Sequence, residues 1–149
     1  MELVERRTRR LRGPDIRLWA VVALAALLSA CGSDPKEDAA KELARAQDMF
    51  EQGNNQGAGE AYTRAMRIDP QLAGAYAGRG HIYYLLGSYD NAIDDLDRAI
   101  ELNADLASAY NSRGLVYVTR GEGERAVLDF TKAIQLDAGL TDAYYNRAI

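Results

Sequence analysis

An all-α solenoid of stacked antiparallel helix pairs, three complete pairs and the first helix of a fourth, is the fold this 149-residue chain predicts. Three observations carry that reading. Landmarks recur every 34 residues without slippage: Tyr62, Leu96 and Phe130 form one column, Ala65, Ala99 and Ala133 a second, Gly53, Gly87 and Gly121 a third. A period of that length marks units that bury their apolar faces only against their neighbours. Within each unit, apolar residues return at three- and four-residue steps, the spacing of one helix face. Sustained period-two alternation is absent, and the turns are too short to connect a sheet.

In chain order, the first element is an address. Arg6, Arg7, Arg9, Arg10, Arg12 and Arg17 make a basic stretch, and the uncharged apolar run LWAVVALAALLSA follows at 18–30. As a helix that run reaches roughly 20 Å, short of the ~30 Å hydrocarbon core. Basic flank, short apolar run and small closing residues are the build of a secretory signal peptide. The run ends in Leu28-Ser29-Ala30-Cys31, which resembles the lipobox of bacterial lipoproteins. The resemblance implies removal of residues 1–30 as a signal peptide and acylation of Cys31, the first residue of the mature protein. Small Ser29 and Ala30 leave the scissile bond accessible. Each buried CH₂ contributes ~0.8 kcal/mol, so more than one acyl chain (palmitate or similar) is needed for stable anchoring. Thr8-Arg9-Arg10 is faintly similar to a twin-arginine signal, but Arg12 and Gly13 stand where that motif prefers apolar residues. Sec export is the expectation. Gly32 stands where an Asp would resemble an inner-membrane retention signal, which points to the outer membrane, facing the periplasm, in a host that has one. Otherwise the extracytoplasmic face of the plasma membrane is expected. The competing reading is an uncleaved anchor, or a start codon placed too early, with Cys31 an inert thiol.

Residues 31–34 form a short lipidated tether, and the helical domain occupies 35–149. Asp34, Pro35 and Glu37 read as a helix start: a capping side chain, a proline at the first helical position and a capping-box acid. Ala39, Leu43, Ala46 and Phe50 share one face of the first helix, which Gly53-Asn54-Asn55 ends. The second helix is expected from about residue 56 to 68, with Ala58, Tyr62, Ala65 and Met66 at its buried spacing. Asp69-Pro70 closes it, because the residue before proline is pushed out of the helical region. Further helices are expected near 71–86, 89–101, 105–120, 123–136 and 140–149.

Composition narrows the function. From Cys31 onward the chain carries 12 basic and 19 acidic residues, a net charge of about −7. Such a body is poorly suited to nucleic acid, which is bound by Lys and Arg that displace phosphate counterions. One cysteine makes no internal disulfide, and one histidine leaves little for a metal site. Asp90, Asp94, Asp95 and Asp97 are scattered around a helix with no Gly-centred calcium loop, so they read as a solvated face, with Asp90 placed to aid the helix start. His81 is the one group that titrates near neutrality. No nucleophile accompanies it, and no phosphate-cradling Gly motif or triad is present. The expectation is therefore no enzyme, no metal, no cofactor and no small-molecule substrate.

The columns Tyr76, Gly80, Tyr83, Gly87, Tyr89, Ala92, Leu96, Ala99 and Tyr110, Gly114, Tyr117, Gly121, Ala126, Phe130, Ala133 resemble the tetratricopeptide repeat (TPR). Repeats are then 39–72, 73–106 and 107–140, with a partial fourth at 141–149. Small Gly80, Gly114, Ala92 and Ala126 stand where paired helices approach to 8–10 Å. Where the family often has Leu, this chain has Arg45, Arg79, Arg113 and Arg147. Asp95 and Asp129 follow sixteen positions after the second and third of these, so Arg79–Asp95 and Arg113–Asp129 are expected as structural ion pairs. The competing view is that the arginine column faces an acidic ligand.

The resemblance also implies a superhelix whose first helices line a concave groove. Carried over by position, its wall is Ala77, Gly78, His81, Tyr84 and Leu85, then Asn111, Ser112, Leu115, Val118 and Thr119, then Tyr145 and Asn146. Family members that grip a terminal carboxylate use Lys and Arg there. This wall has neither, so the expected guest is a protein or peptide partner lying in the groove as an extended strand or a helix. Two functions compete. One is a membrane-anchored scaffold or adaptor of the bacterial cell envelope. The other is the N-terminal recognition segment of a longer envelope enzyme, because Ile149 falls midway through a repeat.

Overall fold

The computed structural model describes residues 34–148. The expected signal peptide, the Leu28–Cys31 stretch that resembles a lipobox and the expected acylation at Cys31 lie outside the described residues. Among the described residues there are seven helices and no strand: α1 (Pro35–Glu51), α2 (Asn55–Ile68), α3 (Ala73–Leu85), α4 (Tyr89–Leu102), α5 (Ala107–Thr119), α6 (Gly123–Leu136) and α7 (Thr141–Arg147). They pack as the pairs α1–α2, α3–α4 and α5–α6, with α7 laid against α6 and α5. No described helix is long and apolar enough to cross a membrane.

Two kinds of turn set the phase. Within each repeat the first helix ends on a glycine of positive φ: 77° at Gly53, 75° at Gly87 and 77° at Gly121. That left-handed residue lets Asn54 N–H donate to Met49 O at 2.8 Å and Gly53 N–H to Phe50 O at 2.9 Å, satisfying carbonyls the helix leaves open. Between repeats, Asp69, Asn103 and Asp137 accept through Oδ1 from the backbone two residues on, at 2.9, 3.0 and 2.8 Å. These side-chain turns occupy residues expected to be helical, so α3 and α5 begin at Ala73 and Ala107 and not near 71 and 105.

The chain start also differs in detail. Asp34 caps α1 by accepting from Lys36 N–H at 2.9 Å. Glu37 forms no capping box; it pairs with Lys41 at 2.8 Å, one turn on.

The core follows the small-residue columns. A Cβ on Gly80 would lie 2.8 Å from Leu96 Cγ, and one on Gly114 would lie 2.5 Å from Phe130 Cε1. Leu96 and Phe130, 0% and 1% exposed, therefore press against bare backbone. Tyr76 and Tyr83 are half-buried and pack against the cluster around Leu96 and Val116.

The arginine column joins helices and also joins repeats. Arg79 donates through Nε and Nη2 to Asp95 at 2.7 and 2.8 Å, and Arg113 donates likewise to Asp129 at 2.8 Å each. The third nitrogen, Nη1, points back sixteen positions into the preceding repeat: to Thr63 Oγ1 at 3.2 Å from Arg79 and to Asp97 Oδ1 at 2.6 Å from Arg113. Among the described residues Arg45 pairs with Glu42, at 3.6 Å, and Arg147 lies over the Tyr144 ring. The acidic face of α4 is accordingly not simply solvated. Asp95 is buried and Asp97 is bonded to Arg113, because α5 and α6 pack where an isolated helix would meet water, whereas Asp90, paired with Arg120, and Asp94 are exposed as expected.

Candidate functional site: the concave groove

The first helices of successive repeats stand side by side, and their shared face encloses a hollow of about 380 Å³. Gln47 and Phe50 of α1, Gly74, Ala77, Gly78 and His81 of α3, and Ser108, Asn111 and Ser112 of α5 line it. Leu106, Leu140 and Asp142 complete it at the α5 and α7 ends. Tyr62 arrives from the other layer, α2, and reaches the floor because Gly78 has no side chain. A Cβ there would lie 2.3 Å from Tyr62 Cζ.

His81 sits at the centre. Its Nδ1 lies 3.2 Å from Ser112 Oγ, a bond in which either group can donate, so the stacking of α5 on α3 gives it the serine neighbour that sequence spacing did not lead one to expect. Its ring meets Phe50 edge-on, centroids 5.5 Å apart, and Tyr84 at 5.9 Å. Burial pushes its pKa below the ordinary 6.5, so the imidazole is neutral at pH 7. The unfolded chain therefore takes up a proton at higher pH than the folded chain does. The His81 contribution to stability is full above about 6.5 and is lost as pH falls toward the folded pKa. Thermal melts between about pH 7.5 and 5.5 should show a fall in Tm that is absent in His81→Gln. An equal fall in the variant would assign the effect elsewhere.

Among the expected wall residues, Ala77, Gly78, His81, Asn111 and Ser112 line the hollow. Tyr84 touches it through His81, and Asn146 through the bond from its Nδ2 to Asn111 Oδ1 at 3.1 Å. Leu85, Leu115, Val118, Thr119 and Tyr145 are not among its lining residues. Leu115 packs on the Tyr117–Phe130 cluster, Thr119 bonds back to Leu115 O at 3.0 Å, and Tyr145 is 71% exposed. Gln47, Phe50, Tyr62, Gly74, Leu106, Ser108, Leu140 and Asp142 line the hollow without being among the expected wall residues. Gly74, Ser108 and Asp142 share one 34-residue column, one turn earlier than the columns carried over. Among the described residues, no group of three or more His, Cys, Asp or Glu side chains could hold a metal ion.

A family model described as TPR repeat matches residues 46–87 and 80–121, and one described as tetratricopeptide repeat matches 107–139. The chain belongs to the tetratricopeptide repeat family. A search of curated proteins finds no match. Among solved structures, this TPR array is similar to the second TPR domain of human RPAP3 in complex with the HSP70 peptide SGPTIEEVD. Identity is 28% over 77% of this chain and 96% of that one, at a TM-score of 0.68. The first TPR of Spaghetti (RPAP3), bound to the HSP90 peptide SRMEEVD, matches at 24% identity and TM-score 0.70, covering 76% of this chain and 90% of that one. A Thermobaculum terrenum O-GlcNAc transferase mutant matches at 23% and 0.74 over 78% of this chain, which spans 22% of that one. The latter two show the fold alone.

Proposed function

We propose that this chain is a lipid-anchored protein–protein interaction scaffold, or adaptor, of the bacterial cell envelope. Acylated Cys31 would hold the TPR array at a membrane, and the groove would take an extended peptide or a partner helix. The observation that carries the docking half is the hollow that runs from α1 to α7, with no lysine or arginine among its lining residues. Gln47, Ser108, Asn111 and Ser112 offer both donors and acceptors to a peptide backbone, beside apolar Phe50 and Ala77. The RPAP3 domains hold peptides with acidic ends. Here Asp142 is the acidic residue among the lining residues, so an acidic terminus would be disfavoured and a neutral or basic segment favoured. The anchoring half is supported by the apolar run that ends in Cys31.

Both halves have a direct test. Labelled palmitate should enter the protein in its host and be absent from Cys31→Ala, which should also leave the membrane fraction. Ser108→Arg, an exposed position on the groove wall, should leave Tm unchanged and remove the partners that co-purify with the anchored protein. A variant that retains the same partners would refute docking in the groove.

A further inference from the structure

The junction between the first two repeats is open where the next junction is filled, and the difference specifies a ligand. At the later junction, Ile93 of α4 packs against the Tyr117–Phe130 cluster. Four residues on, Asp97 accepts from Arg113 Nη1, and Asp90 pairs with Arg120 across the gap. One period earlier, the positions of Ile93, Asp97, Asp90 and Arg120 are held by Gly59, Thr63, Gln56 and Leu86.

Each replacement removes a piece of the closure. A Cβ on Gly59 would meet only Ile82 Cγ2, at 4.0 Å, so the space that Ile93 fills at the next junction stays empty beside Gly59. Arg79 Nη1 finds a hydroxyl at 3.2 Å where its counterpart finds a carboxylate at 2.6 Å. Leu86 is 63% exposed and bridges to nothing. What remains is a cleft of about 700 Å³, on a face of α3 other than the one lining the groove. Its apolar lining is half-buried Tyr83 and exposed Leu86, with Ile82 buried beside them; Arg64, Arg67 and Arg79 edge it, and Glu60 is the one acid among its lining residues. Arg64 engages Glu42 through Nε, and Arg67 has no ion pair among the described residues.

We propose that this cleft binds a partner segment that presents an aliphatic side chain and, one helical turn further on, a carboxylate. Those are the two groups that Ile93 and Asp97 provide at the equivalent site, and residues four apart share one helix face. The aliphatic group covers the apolar lining and takes the volume that Gly59 leaves empty. The carboxylate accepts from Arg79 Nη1 and draws Arg67 inward, a charge-assisted contact that a cationic segment cannot make. The site is separate from the groove, so the array can hold two segments at once.

The test uses the full chain and a fluorescein-labelled, side-chain-stapled, alanine-rich helix carrying isoleucine and, four positions later, aspartate, followed by anisotropy. Saturable binding is expected, weaker by about tenfold or more when the peptide's aspartate is lysine. The same loss is expected in Gly59→Ile/Thr63→Asp, which refills the cleft with the side chains of the second junction, and in Leu86→Asp, at an exposed position that does not threaten folding. Asp142→Asn, in the groove, should leave the affinity unchanged. No binding to the wild-type chain, equal binding of the lysine peptide, or undiminished binding to both cleft variants would overturn the proposal.

Discussion

Replacing Arg113 with methionine is expected to lower the unfolding free energy by about 3–5 kcal/mol, the cost of leaving a buried carboxylate without its partner. The Arg113 and Asp129 side chains are 19% and 8% exposed, and their bond is bidentate. Asp129, and then Asp97, raise the Arg113 pKa above its usual value, although burial opposes them. Methionine keeps an apolar stem but removes the guanidinium that lies over the Tyr110 and Tyr117 rings and leaves Asp129 with no cation. Adding Asp129→Leu should restore most of the loss, because an apolar pair does not need to be compensated. The same change at Arg45, 58% exposed and 3.6 Å from Glu42, should cost less than about 1 kcal/mol. Urea denaturation of the three variants checks the contrast. If Arg113→Met and Arg45→Met proved alike, the column would be a surface feature and not an internal tie.

Phe130→Ala should also cost about 3–5 kcal/mol, since it empties the space between α5 and α6. Gly114→Ala alone should cost about 1–3 kcal/mol by driving a methyl into the ring, from which a Cβ would lie only 2.5 Å. In Phe130→Ala that clash disappears, so the double variant should be more stable than the two single losses added together. Measured additivity would mean that the ring and Gly114 do not share one contact.

These two sites differ in how far the linear sequence discloses them. That Gly114 stands at a close helix approach was legible, because a glycine at constant phase inside a helix has few other uses; that Phe130 is what presses on it was not. The Arg113–Asp129 pair was legible, because sixteen positions separate matching points on the two helices of one repeat. The second arm of Arg113 was not. Asp97 looks solvated when its helix is drawn alone, and only the rotation between repeats brings Nη1 within 2.6 Å of it. Asp95 was placed both in a pair and on a solvated face, and its burial decides for the pair.

The groove divides the same way. His81, Asn111 and Ser112 line the hollow at positions that the TPR resemblance implies for the wall. Tyr62 was not expected there, because it belongs to the other layer and reaches the groove only through the gap at Gly78. Ser108 and Asp142 were missed because the wall extends one turn further toward the helix starts than the carried-over columns do.

By itself, the sequence determined the helix pairs, their 34-residue phase and the acidic body, because those depend on local periodicity and on residue size at fixed columns. Tertiary structure alone decided which charges are buried, which side chain crosses between layers, and that the first junction stays open where the second is closed. Such outcomes depend on the rotation and translation relating neighbouring repeats, and a one-dimensional pattern does not encode the position of one helix face against another.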